Sequence, residues 1–189
     1  MIKSKKDYLF YIKADLASQG KATHWHSFIT DPIVNFQKLL RKTEYYSNCR
    51  HDFIGRIYLI LLKIQFLRLS VKLGFTISLN VFGPGLSLVH YGNIIINGNA
   101  RIGKNCRIHS GVNIGVSSTV PTIGDNVYIG PGAKLWGKIT IGNNVAIGAN
   151  SVVLKDIPSN VTVAGIPARI ISNKGSKDLL VDGCAIASK

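Results

Sequence analysis

The chain has 189 residues, enough for one ordinary domain or for a small domain attached to an elongated one. Its formal net charge of +14 is dispersed through both halves instead of forming one basic patch with interleaved aromatics. That argues against a nucleic-acid platform and for an anionic small molecule, an anionic polymer or a membrane surface as partner. Hydrophobic residues make up 46% and glycines number 19, yet aromatics are only 8%, so the expected core is built of small aliphatic side chains packed close to backbone.

The N-terminal stretch MIKSKKDYLFYIKADL is basic but lacks an uninterrupted apolar core and a small-residue cleavage site, and so makes a poor signal peptide. Residues 1–75 read as an α-helical N-terminal domain. In DPIVNFQKLLRKTEYY, Asp31 is placed to cap a helix that starts at Pro32. GRIYLILLKIQFLRLSVKLG continues the helical spacing to a stop at Gly74. Arg56, Lys63, Arg68 and Lys72 interrupt that apolar stretch before the ~20 residues a membrane span needs. The expectation is a helix packed in an oligomer, with peripheral association on an anionic inner membrane face as the second reading. His24 and His26, around Trp25, are assigned to a helical interface. Cys49, Cys106 and Cys184 have no paired spacing and read as reduced thiols in a cytoplasm.

From Ile96 the period changes. An aliphatic residue recurs every six positions, at Ile96, Ile102, Ile108 and Ile114, then at Ile123, Ile129, Leu135, Ile141, Ile147 and Val153. Four residues after most of these stands a second small or branched residue: Ala100, Cys106, Val112, Val127, Ala133, Ile139, Val145 and Ser151. Two inward side chains per six residues, with glycine or asparagine at the corners, describe a parallel β-helix built from hexapeptides. Residues eighteen apart should stack at the ~4.8 Å strand spacing. The longer step from Ile114 to Ile123 places about three extra residues, 117–119, in an outward loop. The fold class is therefore mainly β, with the solenoid at 76–171 and a polar, mobile C-terminal tail at 172–189.

IGDNVYIGPGAKLWGKITIGNNVAIGANSVVLKDIPSNVTVAGIPARII resembles the hexapeptide-repeat acyltransferases. Together with VFGPGLSLVHYGNIIINGNARIG and the helical N-terminus, nearly the whole chain is similar to their serine O-acetyltransferase branch. Within that branch it looks nearest to the acetyltransferases of bacterial capsule, exopolysaccharide and O-antigen clusters. The resemblance implies a left-handed β-helix, a homotrimer that the N-terminal helices could pair into a dimer of trimers, and acetyl-CoA as donor with no metal. It also implies that His90, at the place of the family's general base, is catalytic, and that acetyl-CoA lies along an edge formed by Gly130, Pro131, Gly148, Ala149, Leu154, Lys155 and Arg169. Lys155 and Arg169 are the natural phosphate partners.

Phase counting adds to this. Six residues before Ile96 is His90, where the repeat calls for an aliphatic side chain, so an irregular first coil with its ring facing a cleft is expected. His109, one coil plus one step onward, should share its edge and is the second catalytic candidate. The glycines at 130 and 148 would let a thin ligand approach the backbone, and an oxyanion donor is sought near residues 111–113.

The serine enzymes carry an aspartate before the catalytic histidine, another about fifteen residues upstream, and a histidine before a loop proline. Here those places hold Val89, Phe75 and Val120. A buried ammonium needs a partner, so these departures favour a saccharide acceptor on a surface polysaccharide or its precursor, with serine, as in cysteine biosynthesis, the alternative. A zinc carbonic anhydrase on this solenoid would need three converging histidines where the repeats offer two, and a non-catalytic scaffold would bind no coenzyme A.

Overall fold

The computed structural model describes residues 1–20, 31–115 and 121–189. Among the described residues three helices come first: α1 (Lys5–Ser18), α2 (Pro32–Cys49) and α3 (Phe53–Leu73). Asp31 caps α2 by accepting from the Ile33 and Val34 N–H groups, and Gly74 ends α3 in the left-handed conformation at φ 74°. His24, Trp25 and His26 lie outside the described residues. No described helix is long and apolar enough to cross a membrane.

Among the described residues fourteen short strands follow: β1 (Phe75–Thr76), β2 (Ser87–Leu88), β3 (Ile94–Ile96), β4 (Arg101–Ile102), β5 (Arg107–Ile108), β6 (Asn113–Ile114), β7 (Thr122–Ile123), β8 (Tyr128–Ile129), β9 (Lys134–Leu135), β10 (Thr140–Ile141), β11 (Ala146–Ile147), β12 (Val152–Val153), β13 (Thr162–Gly165) and β14 (Ala168–Ser172). They stack into three sheets, ordered β1-β3-β6-β9-β12, β10-β7-β4 and β14-β13-β11-β8-β5-β2. All pair in parallel except the closing hairpin of β13 (Thr162–Gly165) with β14. This is the parallel β-helix that the six-residue period demands. Every leading aliphatic from Ile96 to Val153 is at most 5% exposed, and the second inward positions are equally buried. At about 1.5–3 kcal/mol for each fully buried aliphatic side chain, this lumen is the main source of cohesion.

Stacked partners stand eighteen apart where the repeat is regular, as in Tyr128 with Ala146, and twenty-one apart across the step after Ile114, as in Arg107 with Tyr128. The three additional residues thus leave the register intact on either side. The loop expected at 117–119 itself lies outside the described residues.

One corner explains its asparagines. Asn105, Asn126, Asn144 and Asn160 all have φ between 53° and 65°, and their side-chain amides form a ladder with N···O distances of 2.8–2.9 Å. The C-terminal segment packs on this ladder, contrary to the expected mobile tail. Ser176 donates to the Asn126 carbonyl, Asn105 donates to Asp182 at 2.7 Å, and the Cys184 N–H donates to Asn105 at 3.1 Å. The tail ends in a short helix, α4 (Gly183–Ala187), so close to α1 that a Cβ on Gly183 would lie 2.2 Å from the Ala14 carbonyl oxygen. Polar composition misled here because hydrogen bonds, together with the close packing of Gly183 and the buried Cys184 against their neighbours, dock a tail that has no hydrophobic period.

The first coil has no strand before it, and side chains from the helices take the place of that missing neighbour. Asp15 accepts from the Gly85 and Leu86 N–H groups at 2.8 Å each. Arg41, with no exposed side-chain surface, donates to the Phe82 and Gly83 carbonyls and is ion-paired to Asp15 at 2.8 Å and Glu44 at 3.0 Å. Glu44 accepts from the Asn80 N–H, Gln37 donates to the Leu86 carbonyl and Gln19 to the Leu88 carbonyl. Burial pushes the Asp15 carboxyl up against the pull of Arg41, while Asp15 and Glu44 hold the Arg41 guanidinium firmly protonated against its own burial.

Replacing Arg41 with methionine strands two buried carboxylates, so Arg41→Met is expected to lose about 3–5 kcal/mol of stability. Urea denaturation monitored by circular dichroism measures this; a loss below about 1 kcal/mol would mean that Arg41 does not hold the first coil.

Candidate active site

The two histidines sit at the corner between the β2 and β3 sheets. Leu88 and Ile108 are register partners, as are Ile96 and Ile114, but eight residues separate Leu88 from Ile96 where six separate Ile108 from Ile114. The corner at 89–93 is thus two residues longer than the one below it. Leu88, not His90, fills the lumen position at 0% exposure, and His90 is carried outward and exposed. The back-count from Ile96 fails because it assumes a regular corner, whereas the irregular first coil it led to is present.

The long corner is anchored. The Gly92 N–H donates to the Leu73 carbonyl at 2.9 Å, with Gly92 at φ 120°, and the Gly111 N–H donates to the Asn93 carbonyl at 2.7 Å. His90 and His109 are brought together with ring centroids 6.0 Å apart, and His109 meets Tyr128 edge to face at 5.2 Å. Burial lowers the His109 pKa below the usual imidazole value, and Arg107 and His90 lower it further. His109 is therefore a neutral ring at pH 7 whose Nε2 is buried without a hydrogen-bond partner. The Gly111 and Asn113 N–H groups are held by the Asn93 and Ala133 carbonyls, so neither is free to serve as the oxyanion donor sought there.

The corner column continues as His109, Gly130, Gly148 and Ala164, joined by N–H donation from each of the first three to the carbonyl one coil on, at 2.8–3.2 Å. Arg169 pairs with Ala164 across the closing hairpin. Pro131 and Ala149 stand exposed one residue further round the corner. The edge from His109 to Arg169 thus spans four strand steps, about 19 Å at ~4.8 Å each. Leu154 and Lys155 do not join it: they follow β12 (Val152–Val153) at the next corner of the prism, Leu154 being 52% exposed. Trp136 occupies that corner too, 46% exposed.

The glycines have a different reason from the one expected. A Cβ on Gly130 would lie 2.8 Å from both the Ile147 carbonyl oxygen and the Ala149 nitrogen, and one on Gly148 would lie 2.9 Å from the Ala164 Cβ. Close passage of the next coil, rather than of a ligand, forbids a side chain there.

Counting missed a cavity of about 390 Å³ beside His109, walled by Arg107 and Tyr128 on one side and by residues 178–181 of the docked tail on the other. Arg107 and Tyr128 were legible as stacked outward positions, each preceding an inward isoleucine; Asp178 had no sequence signal. Burial pushes the Cys106 thiol up to about 12 and the Cys184 thiol up to about 11, so neither is a ready nucleophile. All three cysteines are free.

Residues 121–155 match the bacterial transferase hexapeptide family (six repeats). Over 98 residues, 49% of this chain, the sequence is 44% identical to a serine acetyltransferase of Synechococcus elongatus; over 100 residues it is 45% identical to one of Staphylococcus xylosus. These matches cover 40% and 46% of the relatives' lengths, so the chain spans less than half of each. Among solved structures, a Neisseria gonorrhoeae serine acetyltransferase in complex with serine superposes with a TM-score of 0.72 at 28% identity, covering 89% of this chain and 71% of that one. A serine acetyltransferase in complex with CoA gives 0.71 at 26% identity, covering 88% and 71%.

These likenesses overturn the saccharide acceptor and the polysaccharide branch expected from the missing carboxylates, and favour the serine alternative. The premise was also weak in structure. Phe75 is buried in the core with its ring edge to face with Phe36 at 4.9 Å, so the position counted as a lost aspartate does not face the corner. Val120 lies outside the described residues.

Two measurements check this geometry. Gly130→Ala should destabilise the fold by about 1–3 kcal/mol through overpacking of adjacent coils, read by thermal unfolding; no loss would restore the ligand-approach explanation. The His109 ring should titrate below an ordinary histidine by NMR. Because its folded pKa lies below its unfolded one, its contribution to stability rises with pH through the interval between them and is complete above the unfolded value. A midpoint at or above the ordinary value contradicts the burial of that ring.

Proposed function

We propose that this hexapeptide-repeat homologue of serine acetyltransferases is itself an acetyl-CoA-dependent O-acetyltransferase, with serine as acceptor and His90 as general base. The observation that carries the proposal is the placement of His90: exposed on a lengthened corner, beside a neutral His109, at one end of an edge that leads to Arg169. His90 takes the proton of the acceptor hydroxyl as its oxygen attacks the thioester carbonyl. The new C–O bond forms, the C–S bond breaks, and coenzyme A leaves as a thiolate that recovers the proton from the imidazolium. No acyl-enzyme is needed. The buried thiols at Cys106 and Cys184 fit that economy, since neither is positioned or ionised to carry an acetyl group.

The donor would lie along the edge, its pantetheine arm beside Gly130, Pro131, Gly148 and Ala149 and its phosphates toward Arg169. Leu154 and Lys155 belong to this proposal only through a second copy, because within one protomer they occupy a different corner. Assembly as a homotrimer is therefore part of the reading: it would set the Leu154 and Lys155 corner of one copy against the histidine corner of the next.

Release of free coenzyme A from acetyl-CoA in the presence of serine, followed with a thiol reagent, is the test. His90→Ala is expected to lower the rate by about 10²–10⁴-fold while circular dichroism stays unchanged. A folded variant that keeps most of its turnover removes His90 from the role, and a wild-type protein inert toward serine removes serine as the acceptor.

A further inference from the structure

We infer that the cavity between the docked C-terminal segment and the sheet carrying His109 is the acceptor subsite, and that it recognises a free amino-acid zwitterion, Arg107 taking the carboxylate and Asp178 the ammonium. This rests on the proposed serine acceptor and supplies what that reading lacks, namely charged partners for both ends of the molecule.

The cavity measures about 390 Å³, ample for a free amino acid. It carries one charged side chain on each wall, Arg107 and Asp178. Arg107, on β5 (Arg107–Ile108), is half-buried; its Nε is enclosed without a partner, and among the described residues no hydrogen bond or ion pair engages its guanidinium. Asp178, in the 3₁₀ turn Lys177–Leu179 of the tail, is exposed, and among the described residues no ion pair engages it. Ion pairs among the described residues join Arg41 to Asp15 and Glu44, Arg50 to Asp52, and Lys104 to Asp125, so Arg107 and Asp178 face the same space without neutralising each other. A half-buried guanidinium without a counter-charge is unfavourable, and a carboxylate arriving in its plane can accept two hydrogen bonds at once.

Two opposite charges held apart on facing walls complement a molecule with two opposite charges on one carbon. A phosphate or a dicarboxylate would meet Arg107 but be repelled by Asp178. The third substituent of a serine so held, its hydroxymethyl group, would be left to point along the wall toward His109, which also lines the cavity and whose ring is 6.0 Å from that of His90. The docking of the tail thus acquires a purpose, since without it the subsite has no anionic wall.

The experiment titrates the full-length chain, and its Arg107→Met and Asp178→Asn variants, by calorimetry with serine, ethanolamine and 3-hydroxypropionate. Ethanolamine lacks the carboxylate and 3-hydroxypropionate lacks the ammonium. Each variant should bind serine at least about tenfold more weakly. Arg107→Met should leave ethanolamine binding unchanged, and Asp178→Asn should leave 3-hydroxypropionate binding unchanged. Unaltered serine affinity in both variants, or no serine binding by the wild type, overturns the subsite. Serine binding that depends on both residues, without coenzyme A release, upholds the subsite and defeats only the acetyltransferase reading. Asp178 is on the surface, so its variant tests the idea even if Arg107→Met fails to fold.

Discussion

Arg41, sealed between Asp15 and Glu44 and donating to two carbonyls of the first coil, is the interaction on which the candidate site depends. A parallel β-helix ends in a row of backbone donors and acceptors with no further coil to satisfy them, and such a row is both costly when buried and a template for aggregation when exposed. Here the row is closed by side chains. Asp15, Glu44, Gln37 and Gln19 meet Gly85, Leu86, Asn80 and Leu88 one group at a time, so α1 and α2 act as a polar lid cut to the solenoid's end. Buried ion pairs are poor sources of net stability, but this one is specific: a helix shifted by one turn could not reproduce it.

The consequence reaches the chemistry through two residues of chain. Gln19 holds the Leu88 carbonyl and the end of α3 holds the Gly92 N–H, so both flanks of His90 are tied to the helices as well as to the next coil, where the Val89 N–H donates to the Ile108 carbonyl and the Asn93 carbonyl accepts from Gly111. A regular corner would have turned position 90 into the lumen, where an imidazole has no partner. The two-residue extension and its two tethers turn it outward instead and keep it within a ring's width of His109. The helical segment is thus a positioning device for the proposed base as much as a cap.

The solenoid was legible in the sequence because its constraint is strictly local. Each coil must fill the same narrow lumen, so the same two inward residues recur and the count from Ile96 to Val153 needs no tertiary information. The site was legible only in part. His90, His109 and the Gly130, Gly148 and Arg169 edge follow from the period and from family likeness, whereas the true phase of His90 required knowing that one corner is longer than the next. Arg41 and Asp15 gave no signal at all, for charged residues at helical spacing ordinarily face water. Asp178 was invisible for a related reason: its tail is polar, and asparagine ladders that bind a polar strap have no hydrophobic period to read.

That last failure bears on how acceptor specificity is built. Val89, read as a lost carboxylate, suggested a site without charge, but a carboxylate need not come from the strand that bears the base. The coil offers Arg107 and Tyr128 at fixed outward positions on neighbouring strands, and the lumen behind them tolerates no change. The tail, by contrast, is pinned at a few points, by Ser176, Asp182 and the tightly packed Gly183 and Cys184, and exposes the residues between them, Lys177, Asp178 and Leu179 among them. On the proposed reading, chemistry that must stay constant sits on the rigid corner, and the charge that selects the acceptor sits at Asp178, an exposed position of the tail. On that division, charge lost from one wall can be restored from the other, and the absence of an aspartate beside the histidine says little about what the site binds.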